Sequence, residues 1–140
     1  MAFDLIEQDF STSAEAGYTF ELVLPNGVSS GAHLTILGDL SKTVRDYSKR
    51  KYQEFQTRNQ VAKRKGKEPD DISLDEAEDM AVEAALVRLI GWNGFIEKKK
   101  DVPFTKEKAA EVLRKHGWIR DAIITEAGDV TNFTPKASNS

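Results

Sequence analysis

A chain of 140 residues with two histidines and no cysteine has few side chains able to do chemistry. His33 falls in a segment of alternating polarity and His116 near the end of a helical one, so the pair shares no ligand spacing. Both read as ordinary surface histidines. Without cysteine there are no disulfides and no thiolate metal sites. Eight acids and no base occupy residues 68–83, but their spacing is not the Asp-x-Asp-x-Asp-Gly pattern of a calcium loop. Asp70, Asp71 and Asp75 would hold a cation only loosely, whereas acids at the start of a helix are favoured by its dipole. Ser41, Ser48 and Ser73 have neither a glycine elbow nor a paired base, and Gly66-Lys67 lacks the rest of a phosphate loop. The expectation is a protein that is not an enzyme and holds no metal and no cofactor. Its work is to bind.

One charged stretch competes for that role. Residues 42–67 carry ten Lys/Arg against Asp46 and Glu54, with Tyr47, Tyr52 and Phe55 interleaved. Such a helix can track a phosphate backbone. Its aromatics, however, share a stripe with Val44 and Lys51 at spacings of three and four, which marks them as core. The net charge of −3 also argues against nucleic acid as the partner.

The elements that position these residues can be taken in order. Residues 1–17 read as a flexible arm, and 18–133 as one domain of α+β class, mainly α: an N-terminal antiparallel hairpin, then a bundle of about four helices. Tyr18, Phe20, Leu22 and Leu24 alternate with polar positions, as do Ala32, Leu34 and Ile36, around the turn residues Pro25-Asn26-Gly27. A lone hairpin is marginal in water, so this one must lean on the helices or on another copy. Helices are expected over about 42–64, 74–90, 105–116 and 118–127. Ser41 and Thr105 cap two of them, and Ser73 with Glu76 forms a capping box. The basic helix and the acidic one after it should pair antiparallel. Gly66 to Asp71 marks the break between them, and 134–140 is a polar tail.

The hub of the chain runs from Leu89 to Trp118 and holds both tryptophans. Trp92, Gly94, Pro103, Phe104 and Trp118 are its structural residues, with Trp92 expected where a helix ends and the chain turns. No apolar run approaches the roughly 20 residues of a membrane span, and the acidic N-terminus is unlike a signal peptide. The expectation is a soluble cytoplasmic protein.

The order of motifs resembles a known family. Leu24-Pro25-Asn26-Gly27 is followed by Gly38-Asp39-Leu40-Ser41, then by Leu89-Ile90-Gly91-Trp92-Asn93-Gly94. Val102-Pro103-Phe104-Thr105 and Trp118-Ile119-Arg120 complete the set. Over residues 18–133 this resembles the tail assembly chaperones of long-tailed bacteriophages. The bridge 96–102 departs from the glycine-containing hairpin associated with that family. The resemblance implies a protein of the host cell cytoplasm that keeps the tape-measure protein soluble and brings tail-tube subunits to it. Some members have a second, longer form made by ribosomal frameshift. Two other readings stand beside it: a structural head–tail or tail protein retained in the virion, and a small nucleic-acid-binding protein using helix 42–67. For the client, the small-residue face of Ala77, Ala81 and Ala84 is the candidate surface. For self-association into a homo-oligomer, the candidate is the hairpin edge at Phe20, Leu22, Leu34 and Ile36.

Overall fold

The two alternating segments form the expected antiparallel pair, and a third strand joins them. In the computed structural model, which describes residues 2–67 and 72–134, β1 (Tyr18–Val23) pairs with β2 (Ser29–Ile36) through Phe20 opposite Leu34. Asn26 and Gly27 close the turn between them, the Asn26 side chain accepting from the Val28 amide at 3.1 Å. On its other side β2 pairs with β3 (Leu89–Asn93), so the sheet order is β1-β2-β3. The hairpin therefore leans on a strand of its own chain.

β3 contains one irregularity that explains its residues. Thr35 faces Gly91 while Ile36 faces Leu89, which leaves Ile90 as an extra residue on the β3 side. A bulge of this kind resets the alternation. Leu89 and Trp92, three apart, both sit opposite core-facing partners, Ile36 and Leu34. Trp92 thus lies in a strand and not at a turn after a helix, correcting the expected geometry of the hub.

Among the described residues, five α-helices complete the mixed α+β, mainly helical fold. They are α1 (Ser11–Ala16), α2 (Lys42–Arg64), α3 (Leu74–Arg88), α4 (Lys106–Lys115) and α5 (Gly117–Gly128), followed by a 3-10 turn, Val130–Phe133. The expected caps form: Ser41 accepts from the Val44 amide, Ser73 from Glu76 and Thr105 from Lys108, all at 3.1–3.2 Å. α3 stops two residues earlier than its apolar run suggests, because Leu89 turns directly into β3 without a loop. Its last carbonyls are capped from outside. The Lys106 ammonium of α4 donates to Leu86 O at 2.8 Å and to Leu89 O at 2.7 Å. Partial burial there pushes the Lys106 pKa down.

The core lies between the inner face of the sheet (Leu22, Leu34, Ile36, Leu89) and α3, α4 and α5, which contribute Val82, Ala85, Leu113, Ile119 and Ile123. Phe133 folds back to meet Tyr18 edge-on at 5.8 Å. Part of the expected N-terminal arm belongs to this core. Ala14 of α1 is buried, and a Cβ on Gly38 would stand 2.9 Å from both Ala14 and the Phe133 ring, so only glycine lets these segments meet. The Glu15 carboxylate accepts hydrogen bonds from the Thr43 amide and hydroxyl, tying α1 to the first turn of α2. Residues 2–9 are exposed. The four residues 68–71 of the expected break, with their acids Glu68, Asp70 and Asp71, lie outside the described residues, as does the tail from 135 onward.

Candidate client-binding groove

Helix α2 is the anomaly of the fold. Its 23 residues span about 34 Å at 1.5 Å per residue, yet only Val44 and Tyr47 are buried. Beyond Ser48 the helix leaves the core, and its apolar stripe goes with it. Tyr52 is 63% exposed and Phe55 57%. Most of the helical stability in proteins comes from packing one apolar face against the rest of the fold. α2 gains part of that from α3, to which it is joined by ion pairs between its bases and the acids opposite. Lys51 Nζ lies 2.8 Å from Glu83, and Arg58 Nη1 lies 2.7 Å from Glu76. The complementary antiparallel pairing anticipated from the two charge blocks is therefore present. Exposed pairs contribute about 0–1 kcal/mol each, so they orient the helices more than they hold them.

Between the two helices runs an open groove of about 500 Å³, lined by Tyr47, Phe55, Ile72, Met80 and Ala84 and bordered by Lys51, Glu54, Arg58 and Glu76. Met80 is 47% exposed, and Leu74 at the start of α3 is 83% exposed. Apolar side chains are thus gathered at the surface between the two helices. Of the three alanines on the expected client face, Ala84 lines the groove, Ala77 is exposed and Ala81 is half-buried toward the core side of α3. Phe55, assigned to the core by its spacing, is instead the floor of the groove. The signal was available: past Phe55 the stripe continues only as Ala62, too thin to bury a helix.

Of the hub residues, Trp92 and Phe104 make a packing unit together with Phe95. The Trp92 ring meets Phe95 and Phe104 edge-on, each at 5.0 Å, and its indole N–H donates to Val102 O at 2.8 Å. Gly94 has φ +85°, and a Cβ there would come within 2.7 Å of Gly31 O. Pro103 is exposed, between Val102 and Phe104. Trp118 stands apart from the ring cluster. With Phe95, Ile96, Leu24 and Val112 it lines a second cleft, of about 490 Å³, whose rim carries Glu97, Lys108, Glu111 and Lys115. Lys108 holds both carboxylates, at 2.9 Å from Glu97 and 3.3 Å from Glu111. That pairing draws the Glu97 pKa down.

The expected self-association edge divides. Leu34 and Ile36 lie on the central strand, whose backbone is paired on both sides, so they offer no edge. Phe20 and Leu22 are on β1, whose outer side has no strand partner among the described residues. His33 lies 3.9 Å from Glu21 across the hairpin, while His116 is half-buried between α4 and α5. Among the described residues no three metal-type side chains converge, and no helix is long and apolar enough to cross a membrane.

The family model described as YdaY prophage protein matches residues 41–140, which takes in α2, the groove and the hub. The chain belongs to this family. Its origin is thus a prophage, and the matched region begins at Ser41, the cap of α2. No curated protein and no solved structure matches the chain. For the YdaY prophage protein family the groove thus lies wholly inside the matched segment, whereas α1 and the β1–β2 hairpin lie before it.

Proposed function

We propose that this prophage protein is a non-enzymatic tail assembly chaperone. It takes apolar helical segments of the tape-measure protein into the α2–α3 groove, keeps them soluble and helps bring tail-tube subunits to them. The observation that carries the reading is the exposed apolar groove on a helix that leaves its own core. Membership of a prophage family and the order of the hub motifs support it. A tape-measure protein is long and helical, so it needs many modest apolar grooves rather than one tight site. Several copies of this chain therefore serve each client.

The test is co-expression with the tape-measure protein of the same prophage. The client should become soluble with several copies of the chain bound. Phe55→Asp together with Met80→Asp should return it to the insoluble fraction while the circular dichroism of the chaperone is unchanged. An insoluble client in the presence of the unaltered chain would sink the proposal. Discovery of the chain in purified virions would favour the structural-protein reading instead.

A further inference from the structure

We infer that the α2–α3 groove reads about one heptad of a client helix's apolar stripe and is indifferent to the charges beside that stripe. The inference rests on the client-binding reading above and adds the class of segment recognised. Its basis is the way two ion pairs divide the groove. Lys51–Glu83 and Arg58–Glu76 each cross from α2 to α3. Their members are seven residues apart on both helices, which is two turns or about 10.5 Å. Phe55 falls between Lys51 and Arg58 on α2, and Met80 between Glu76 and Glu83 on α3. The apolar floor is thus framed by two crossbars, with Tyr47 and Ala84 beyond one and Ile72 beyond the other. The charged residues that line the groove, Lys51, Glu54, Arg58 and Glu76, sum to zero, and each has a partner. Lys51 lies 3.2 Å from Glu54 as well as 2.8 Å from Glu83.

Two turns are also the length over which a helix presents apolar anchors at i, i+3 or i+4, and i+7, as in helix-in-groove recognition. A client helix laid along the groove puts its middle anchor between the crossbars and its outer two against the aliphatic stems of Lys51 and Arg58. Met80, unbranched and polarizable, adapts to anchors of different shape. Glu or Lys flanking the client's stripe meets charges that already have partners, so neither sign is preferred. Such a groove suits a long client whose apolar segments differ in their polar residues. A second copy of this chain is the poorer occupant, because its own Phe55 and Met80 line a recess and a recess does not seat in a recess. Nucleic acid finds no unmatched base along the groove.

The experiment uses the whole chain and labelled peptides of about 20 residues, long enough to form helix on binding. Three share one heptad of leucine stripe, at i, i+4 and i+7, and differ in flanks of Glu, Lys or Gln. Fluorescence anisotropy should give affinities within about threefold of one another, with no loss of binding at high salt. Extending the stripe along the whole peptide should gain no more than about threefold, and cutting it to one leucine should lose at least about tenfold. Glu76→Gln leaves Arg58 without its carboxylate. With circular dichroism unchanged, that variant should prefer the Glu-flanked peptide by at least about fivefold, less so in salt. Phe55→Asp with Met80→Asp should weaken every peptide. A tenfold preference of the unaltered chain for either sign, or a steady gain with each added heptad, would overturn the inference. Equal affinities in Glu76→Gln would also sink it, since closed ion pairs would then not be the cause. So would displacement of the peptides by a single-stranded oligonucleotide, which would assign the groove to nucleic acid. Failure of every peptide to bind, with a dimer that Phe55→Asp and Met80→Asp turn to monomer, would assign it to a second copy. A client kept soluble by a chain that prefers one charge would remove this inference alone. Charge-blind binding of the peptides with an insoluble client would remove the chaperone reading and leave the selectivity standing.

Discussion

Lys98 and Lys99 are the two non-glycine residues with positive φ among the described residues, at 52° and 67°. They form the two-residue turn of a small hairpin, β4 (Ile96–Glu97) with β5 (Lys100–Asp101), in which Glu97 pairs with Lys100. Two left-handed residues in succession match the twist of a tight hairpin, but such turns ordinarily use Asn-Gly. An L-residue with a Cβ pays about 1–2 kcal/mol in that region. The bridge therefore keeps a hairpin where its sequence lacks the expected glycine, at a cost held by neighbouring contacts such as Val102 N to Phe95 O at 2.9 Å. Replacing Lys98 by Asn and Lys99 by Gly should stabilise the protein by about 1–2 kcal/mol, measured as a higher urea midpoint with an unchanged slope. An unchanged or lower midpoint would mean that the turn is not strained.

At the scale of elements, the attachment of α1 has a pH signature. Hydrogen bonds from the Thr43 hydroxyl and amide hold the Glu15 carboxyl below the usual glutamate range. A carboxyl whose pKa is depressed by folding stabilises the fold above its unfolded value and loses that contribution as the pH falls through the folded one. α1 should therefore stay docked at neutral pH and loosen first under acid, below the ordinary glutamate range. Hydrogen exchange can follow this at the Gly38 amide, which donates to Ala14 O at 3.0 Å. Its protection should fall before that of the β2 amides, and Glu15→Gln should lose most of the pH dependence. Simultaneous loss at both places would contradict the docking role. These contacts also show why some elements were legible and others were not. The caps at Ser41, Ser73 and Thr105 are written within four residues of sequence, and each forms. α1 owes its place to Thr43, 28 residues away. β3 owes its place to pairing with β2, and the bulge at Ile90 erases the alternation that would have announced a strand.

Across the whole molecule, stability should be uneven. Ile36, Leu34, Leu113 and Ile123 are fully buried, while α2 beyond Ser48 buries no residue completely. Hydrogen exchange should be slowest in β2 and α5 and fast from about Tyr52 to Arg64, with that stretch gaining protection when a client helix binds. Uniform protection along α2 in the free protein would show that its outer half needs no partner. The same unevenness limited how far the site could be read beforehand. Amphipathic spacing says which face of a helix is apolar, not whether the rest of the chain covers it. Phe55 and Val44 share one stripe, yet one is exposed and the other buried.

The direct passage from α3 into β3 bears on the order in which the chain is made. 52 residues separate Ile36 from Leu89, so at about 5–20 residues per second the ribosome completes β2 some 3–10 s before β3 begins to appear. During that interval the hairpin has no third strand and α2 has no second wall. Because no loop intervenes, the stretch of synthesis that delivers α3 delivers β3 immediately after it. Groove and sheet are thus finished almost together, and a half-made chain has neither complete.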